Sequence, residues 1–112
     1  MAIRTAQRID RGPVRIFLWE GITENDQGSA IDVSDYPDKT VQVIGDFTSN
    51  GAITMQGSPD TSTWGTLKDT FGNDVVLTDA TPVMIGPNTL YIRPAATAGT
   101  SVDMDVYLIA SR

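Results

Sequence analysis

The 112-residue chain contains no cysteine and no histidine. The first absence excludes disulfide staples and thiolate metal sites, and it fits assembly in a reducing cytoplasm. The second removes the Ser-His-Asp and Cys-His nucleophilic arrangements and, together with the first, His- or Cys-ligated zinc. No apolar run approaches the roughly 20 residues of a membrane span, and the N-terminal residues lack the apolar centre of a secretory signal. No glycine-rich phosphate loop is present. These absences lead to the expectation of a protein that is not an enzyme, carries no cofactor or metal, and does not act in a membrane.

Positive charge is scarce and unevenly placed. Residues 1–15 hold Arg4, Arg8, Arg11 and Arg15 against Asp10, a net of +3, while the remainder carries −9, giving −6 for the chain. The acidic body argues against a nucleic-acid partner, because phosphate contacts need a basic face. The basic start reads as an extended arm over residues 1–13, closed by Gly12-Pro13 and ordered on docking to an acidic surface. Ile3, Ala6 and Ile9 have roughly helical spacing, but so short a free helix is marginal in water. On this reading residues 1–12 can be deleted without unfolding the domain at 14–112.

Hydrophobic residues make up 40% of the chain, enough for one buried core and one domain. The pattern is that of strands. Val14–Glu20 is short, apolar and aromatic-rich, with Ile16 and Leu18 on one face and Arg15, Phe17 and Trp19 on the other. Bulk on both faces points to a central strand or to one face in contact with another chain, which makes Trp19 a candidate subunit contact. Thr40–Phe47 starts in clean alternation and then slips at Ile44-Gly45, as a bulge would. Ala52–Leu67 is a hairpin: Ile53 and Met55 alternate with Thr54 and Gln56, then Ser58-Pro59-Asp60 forms the turn. Trp64 follows on the return, with neighbouring strands expected to pack around it. Pro94–Thr100 reads as a small-residue loop. The last strand is the cleanest: Val102, Met104, Val106, Leu108 and Ala110 face one way for a core position, and Asp103, Asp105, Tyr107 and Ile109 the other. About nine short strands with no helix describe a β-sandwich, jelly roll or small barrel.

Candidate chemistry is thin. Asp103 and Asp105 lie about 7 Å apart by strand rise, but nothing nearby would raise either pKa for acid–base work. Asp32, Asp35 and Asp38 match no established calcium loop. Tyr107 shares its face with Asp105 and is therefore expected to be partly wet or at a subunit contact.

The run Ile53–Asp69 with its Gly57-Ser58-Pro59-Asp60 turn and Trp64, then Gly72-Asn73-Asp74, then Leu90-Tyr91-Ile92-Arg93-Pro94, resembles small β-sandwich virion proteins of tailed bacteriophages. In these a Gly-Ser-x-Asp-Gly-x-x-Trp hairpin precedes a Gly-Asn turn and a Tyr-Ile-Arg-Pro strand. The resemblance covers residues 40–112 or so and departs at Thr61, where the pattern has glycine, so the turn must avoid positive φ or bear its strain. It implies an all-β, single-domain sandwich of jelly-roll type with an extended N-terminal arm. It also implies a capsid decoration, or cement, protein that binds the outer surface of the icosahedral head and clamps neighbouring major capsid protein subunits. The partner would be the major capsid protein, the state a homo-oligomer (dimer or trimer), and the location the virion surface after assembly in the host cytoplasm. Capsid contacts would then come from the arm residues Ile3, Arg4, Arg8 and Arg11, and further subunit or ligand contacts from Trp19, Ser58, Asp60 and Tyr107. Ser58, Asp60 and Trp64 also have the spacing of discoidin-type carbohydrate-binding modules. That likeness implies a tail or baseplate adhesin.

Overall fold

The computed structural model describes residues 3–4, 6–12, 14–22, 26–34, 36, 38–45, 52–79, 81–86, 90–98 and 104–111. The described residues form strands β1 (Ile3–Arg4), β2 (Ala6–Arg11), β3 (Val14–Ile22), β4 (Gln27–Gly28), β5 (Ile31–Asp32) and β6 (Asp38–Gly45). The second half adds β7 (Ala52–Ser58), β8 (Gly65–Thr66), β9 (Val76–Leu77), β10 (Val83–Ile85), β11 (Tyr91–Ala98) and β12 (Met104–Ser111). They build two sheets. One has the order β10-β6-β12-β3-β2, and the other runs β1-β4-β11-β7-β8 with β5 beside β11 and β9 beside β7. The fold is thus an all-β sandwich, and no helix occurs among the described residues.

Alternation does what the sequence indicates in β12. Met104, Val106, Leu108 and Ala110 are buried, and β12 is the middle strand of its five-stranded sheet. From the same sheet, Trp19, Ile22, Val41, Val43 and Ile85 join them; Ile53, Met55, Leu77, Ile92 and Ala96 come from the facing sheet. The hairpin also forms as read, with Gln56 opposite Thr66 and Gly57 opposite Gly65.

Four expectations are corrected. The expected bulge at Ile44-Gly45 is not seen among the described residues, where β6 pairs with β12 in unbroken register from Asp38 to Gly45; Phe47 lies outside them. The irregularity lies on the other side of β12, where Glu20 and Gly21 together oppose Asp105. Gly21 sits at φ +67 there, the left-handed residue of a bulge, and its N–H donates to Asp105 Oδ1 at 3.0 Å. Pro94 belongs to strand β11, not to a loop. It is tolerated because β5 pairs only as far as Ile92 and β4 only at Ala95, so the proline falls between two short neighbours.

The N-terminal segment is likewise not a detached arm. β1 runs parallel to β4 in one sheet, and β2 pairs along all six of its residues with β3 in the other. The backbone is extended, as the missing helix requires, but the domain does not begin at residue 14. Its placement is fixed at Ser29, whose Oγ accepts the Ala6 N–H at 3.1 Å.

Trp19 is the fourth correction. It is fully buried, so it meets no subunit or ligand. Its indole N–H donates to the Ser29 carbonyl at 3.1 Å, satisfying the one polar atom it takes inside. The neighbouring corner must be glycine: a Cβ on Gly28 would lie 2.5 Å from the Pro94 ring and 2.6 Å from the Trp19 indole.

Two outcomes follow from this packing. Gly28→Ala should cost about 3 kcal/mol, the upper end of overpacking penalties, read from urea unfolding. Deleting residues 1–12 should strip the edge from β3 and lower the melting temperature by on the order of 10 °C, contrary to the free-arm reading. Calorimetry of the truncated chain checks this.

Candidate functional site

Three surfaces carry the residues singled out by the sequence. The first is the hairpin tip. Ser58 is buried, and its Oγ accepts the N–H groups of Asp60 and Thr61 at 3.1 and 2.8 Å while donating to Asp60 Oδ1 at 3.1 Å. Asp60 Oδ1 also accepts the N–H groups of Ser62 and Thr63, both at 2.9 Å. These two side chains therefore hold the turn. Thr61 stands at φ 66 and bears the strain that glycine would avoid. Trp64, expected in the core, is only half-buried. One face of its ring lies 4.0 Å from the Arg93 guanidinium carbon, a cation–π contact. Its indole N–H donates to the Thr61 carbonyl at 3.1 Å, and Arg93 Nε donates to Gln56 Oε1 at 2.9 Å. Partial burial lowers the Arg93 pKa, though a guanidinium remains charged at neutral pH. The aromatic that the core uses is Trp19, not Trp64.

The second surface is the loop from Lys68 to Asp74, read from the sequence as a loop with a Gly-Asn turn but without singling out Phe71. Phe71 at its tip is 87% exposed. The loop beneath it is tightly held. Asp69 Oδ1 accepts the N–H groups of Phe71 and Asn73 at 2.8 and 3.0 Å, and Asp69 N–H donates to the Asn73 carbonyl at 2.8 Å. Lys68 and Asp74 close the base with an ion pair. Gly86 N–H donates to the Lys68 carbonyl at 2.9 Å, tying the loop to the end of β10. The only sequence signal for it was an aromatic inside an Asp-x-Phe-Gly-Asn turn, where polar residues are the rule.

The third surface is the outer face of the five-stranded sheet. Ile9, Ile16, Ile109, Thr40 and Met84 stand opposite one another, one per strand, across all five strands. The adjoining row is Gln7, Leu18, Tyr107 and Gln42. A shallow groove of about 290 Å³ runs between them, lined by Ile9, Ile16, Gln42, Ile44, Tyr107 and Ile109. Tyr107 is half-buried here, as its place beside Asp105 indicates. Of the four arm residues, Arg8 is exposed on the edge strand, while the side chains of Ile3, Arg4 and Arg11 lie outside the described residues. Asp103 and Asp35 also lie outside them, and no cluster of three or more metal-ligating side chains occurs among the described residues.

The carboxylate at the hairpin tip gives the protein a pH signature. Hydrogen bonds from the N–H groups of Thr63 and Ser62, and from Ser58, hold the Asp60 pKa below its ordinary 3.8. Asp32 and Asp79 are lowered the same way, by bonds from Ser34 and Thr81. A depressed folded-state pKa contributes stability that is complete above the unfolded value and is lost as pH falls through the folded one. Stability should therefore drop below about pH 4. Asp60→Asn, which keeps an acceptor oxygen, should show a smaller drop over that window, and Asp60→Ala a lower melting temperature at pH 7. Thermal melts between pH 2 and 7 check both.

Neither a protein-family model nor a curated sequence matches the chain. Among solved structures, the SPBc2 prophage-derived protein YomS is similar at a TM-score of 0.65 and 12% identity, over 92% of this chain and 99% of YomS. The PBSX exported protein XepA is similar at a TM-score of 0.62 and 12% identity, over 93% of this chain and 40% of XepA. A cupin domain from Bordetella pertussis is similar at a TM-score of 0.52 and 15% identity, over 100% and 99% of the two chains. The likeness is one of fold: a two-sheet sandwich that prophage-derived proteins and cupins both use.

Proposed function

We propose that this chain is a virion structural protein of a tailed bacteriophage that decorates the head, binding the outer surface of the icosahedral shell and stabilising contacts between major capsid protein subunits. The observation that carries the reading is Phe71. A phenylalanine 87% exposed on a loop locked by Asp69 and the Lys68–Asp74 pair is an anchor without a pocket. Ordering costs are met before binding, which is how a small contact gains affinity. A partner with an apolar pocket supplies the other half, and aromatic anchors of this kind dominate protein–protein binding.

Two further observations support it. The residues that carry the resemblance to phage virion proteins, from Ile53 to Pro94, span the hairpin, the Gly72-Asn73 turn next to Phe71 and the first residues of strand β11. The fold is also that of a prophage-derived protein along nearly the whole of both chains. A docking role needs no cofactor, metal, nucleic acid or membrane, only complementary surfaces. Arg8, exposed on edge strand β2, adds positive charge at the rim of a chain of net −6. Rim charge of this sort sets encounter rate more than affinity.

Co-sedimentation with expanded, DNA-filled heads of the encoding phage tests the reading. The wild-type chain should saturate the heads at a fixed copy number. Phe71→Ser should weaken binding about 30-fold, a hot-spot loss, with an unchanged melting temperature because the ring is in solvent. Absence of wild-type binding to heads overturns the proposal, and equal binding by Phe71→Ser removes the tip from it.

A further inference from the structure

We propose that the outer face of the five-stranded sheet is a homodimer interface, in which two copies of this chain stack face to face about a two-fold axis. This inference is independent of the decoration role and would stand if that role failed.

The face is anomalous for this protein. Asp, Glu, Lys and Arg make up 20% of the sequence, yet the two central rows of the face contain none of them. Ile9, Ile44, Met84 and Ile109 on it are between 38% and 52% exposed. A solvated sheet face alternates polar-out, with like-charged or polar side chains spaced along each strand. Here isoleucine occupies three of the five strands in one continuous row, and threonine and methionine the other two. Branched aliphatic rows are what the inner faces of a sandwich carry, where two sheets stack about 10 Å apart.

The occupant follows from charge and from register. Each copy carries −6, so two copies repel unless they meet through an uncharged patch, and the two central rows of this face are one, with Asp105 and Asp38 only in the rows that flank them. A two-fold axis crossing the strands between the Ile109 row and the Tyr107 row gives a consistent pairing. It lays Ile109 on the partner's Tyr107, Ile16 on the partner's Leu18, and Thr40 on the partner's Gln42. It also sets Asp105 against the partner's Ser111, so that no carboxylate faces its own copy. An axis along β12 would instead stack Asp105 on the partner's Asp105. An isologous contact of this kind is self-complementary by construction.

The area agrees with a dimer of modest strength. Five strands spaced about 4.8 Å apart and rows spanning about 20 Å present roughly 500 Å² per copy. The total of roughly 1,000 Å² sits at the threshold for a specific interface. A dissociation constant in the micromolar range is the expected result.

Sedimentation equilibrium of the full-length chain between about 1 and 300 μM is the test. Wild-type protein should move from the 12.1 kDa monomer toward twice that mass. Ile109→Lys and, separately, Gln42→Glu should each raise the dissociation constant at least tenfold, with unchanged far-ultraviolet circular dichroism. Both sites face outward, and the second keeps nearly the same side-chain shape, so one folded variant at least is secured. Phe71→Ser should dimerise like wild type. A chain that stays monomeric throughout, a trimer or larger ring, or a dimer indifferent to both face variants would each overturn the proposal.

Discussion

One contact fastens the two sheets to each other: Trp19 of β3 against Gly28 of β4 and Pro94 of β11. The indole comes from one sheet and the glycine and proline from the other, and a single added methyl at residue 28 would overlap both neighbours. An indole removes roughly 150–250 Å² from water, and its one donor is met by the Ser29 carbonyl, so its burial leaves no unpaired polar cost. Ser29 then accepts the Ala6 N–H through its side chain, and the chain start is drawn to the same corner. From that point β2 runs down the edge of β3 and places Ile9 opposite Ile16. The aliphatic row across the outer face therefore rests on how the interior corner is closed.

Much of the fold could be read from local pattern, and the misreadings share a cause. The inward residues of β12 are legible because alternation is a property of the strand itself. The hairpin is legible because Pro59 and Asp60 are turn chemistry. Trp64 and Trp19 were assigned the wrong way round because an aromatic beside a turn has no intrinsic side. Arg93, which claims one face of Trp64, lies on a strand far along the chain. Pro94 reads as a loop by the rule that proline leaves central strands. What permits it is the vacant stretch between β5 and β4, set by tertiary pairing. Ile3, Ala6 and Ile9 have roughly helical spacing, yet Ile3 pairs with β4 and Ala6 and Ile9 with β3, partners that no local spacing reveals.

The acidity of the chain has a structural share. Asp32, Asp60, Asp69, Asp79 and Asp105 each accept a backbone N–H in a turn or bulge. For Asp32, Asp60 and Asp79 these bonds lower the pKa, the opposite of what a general acid at neutral pH needs. Ser58 and Asp60, read from the sequence as subunit or ligand contacts, bond within their own turn. What remains on the surface with chemistry to spare is apolar: Phe71, and the isoleucine rows.

These two apolar features are mechanically joined. The Phe71 loop is bonded to the end of β10 through Gly86, and Asp69 bridges Ile85; β10 is also the strand that contributes Met84 to the outer row. Loop and face therefore form one rigid unit, so pairing two copies through the face would fix two Phe71 tips at a set separation. A single exposed phenylalanine is a weak anchor on its own. In the proposed decoration role, two held at fixed spacing on a shell that repeats its subunits by symmetry would bind with an avidity about 10²–10⁴ above either alone, provided the spacing matches. On that arithmetic a micromolar dimer and a modest aromatic contact are sufficient together where neither is sufficient singly, which gives a reason for a 112-residue sandwich to keep both surfaces uncovered.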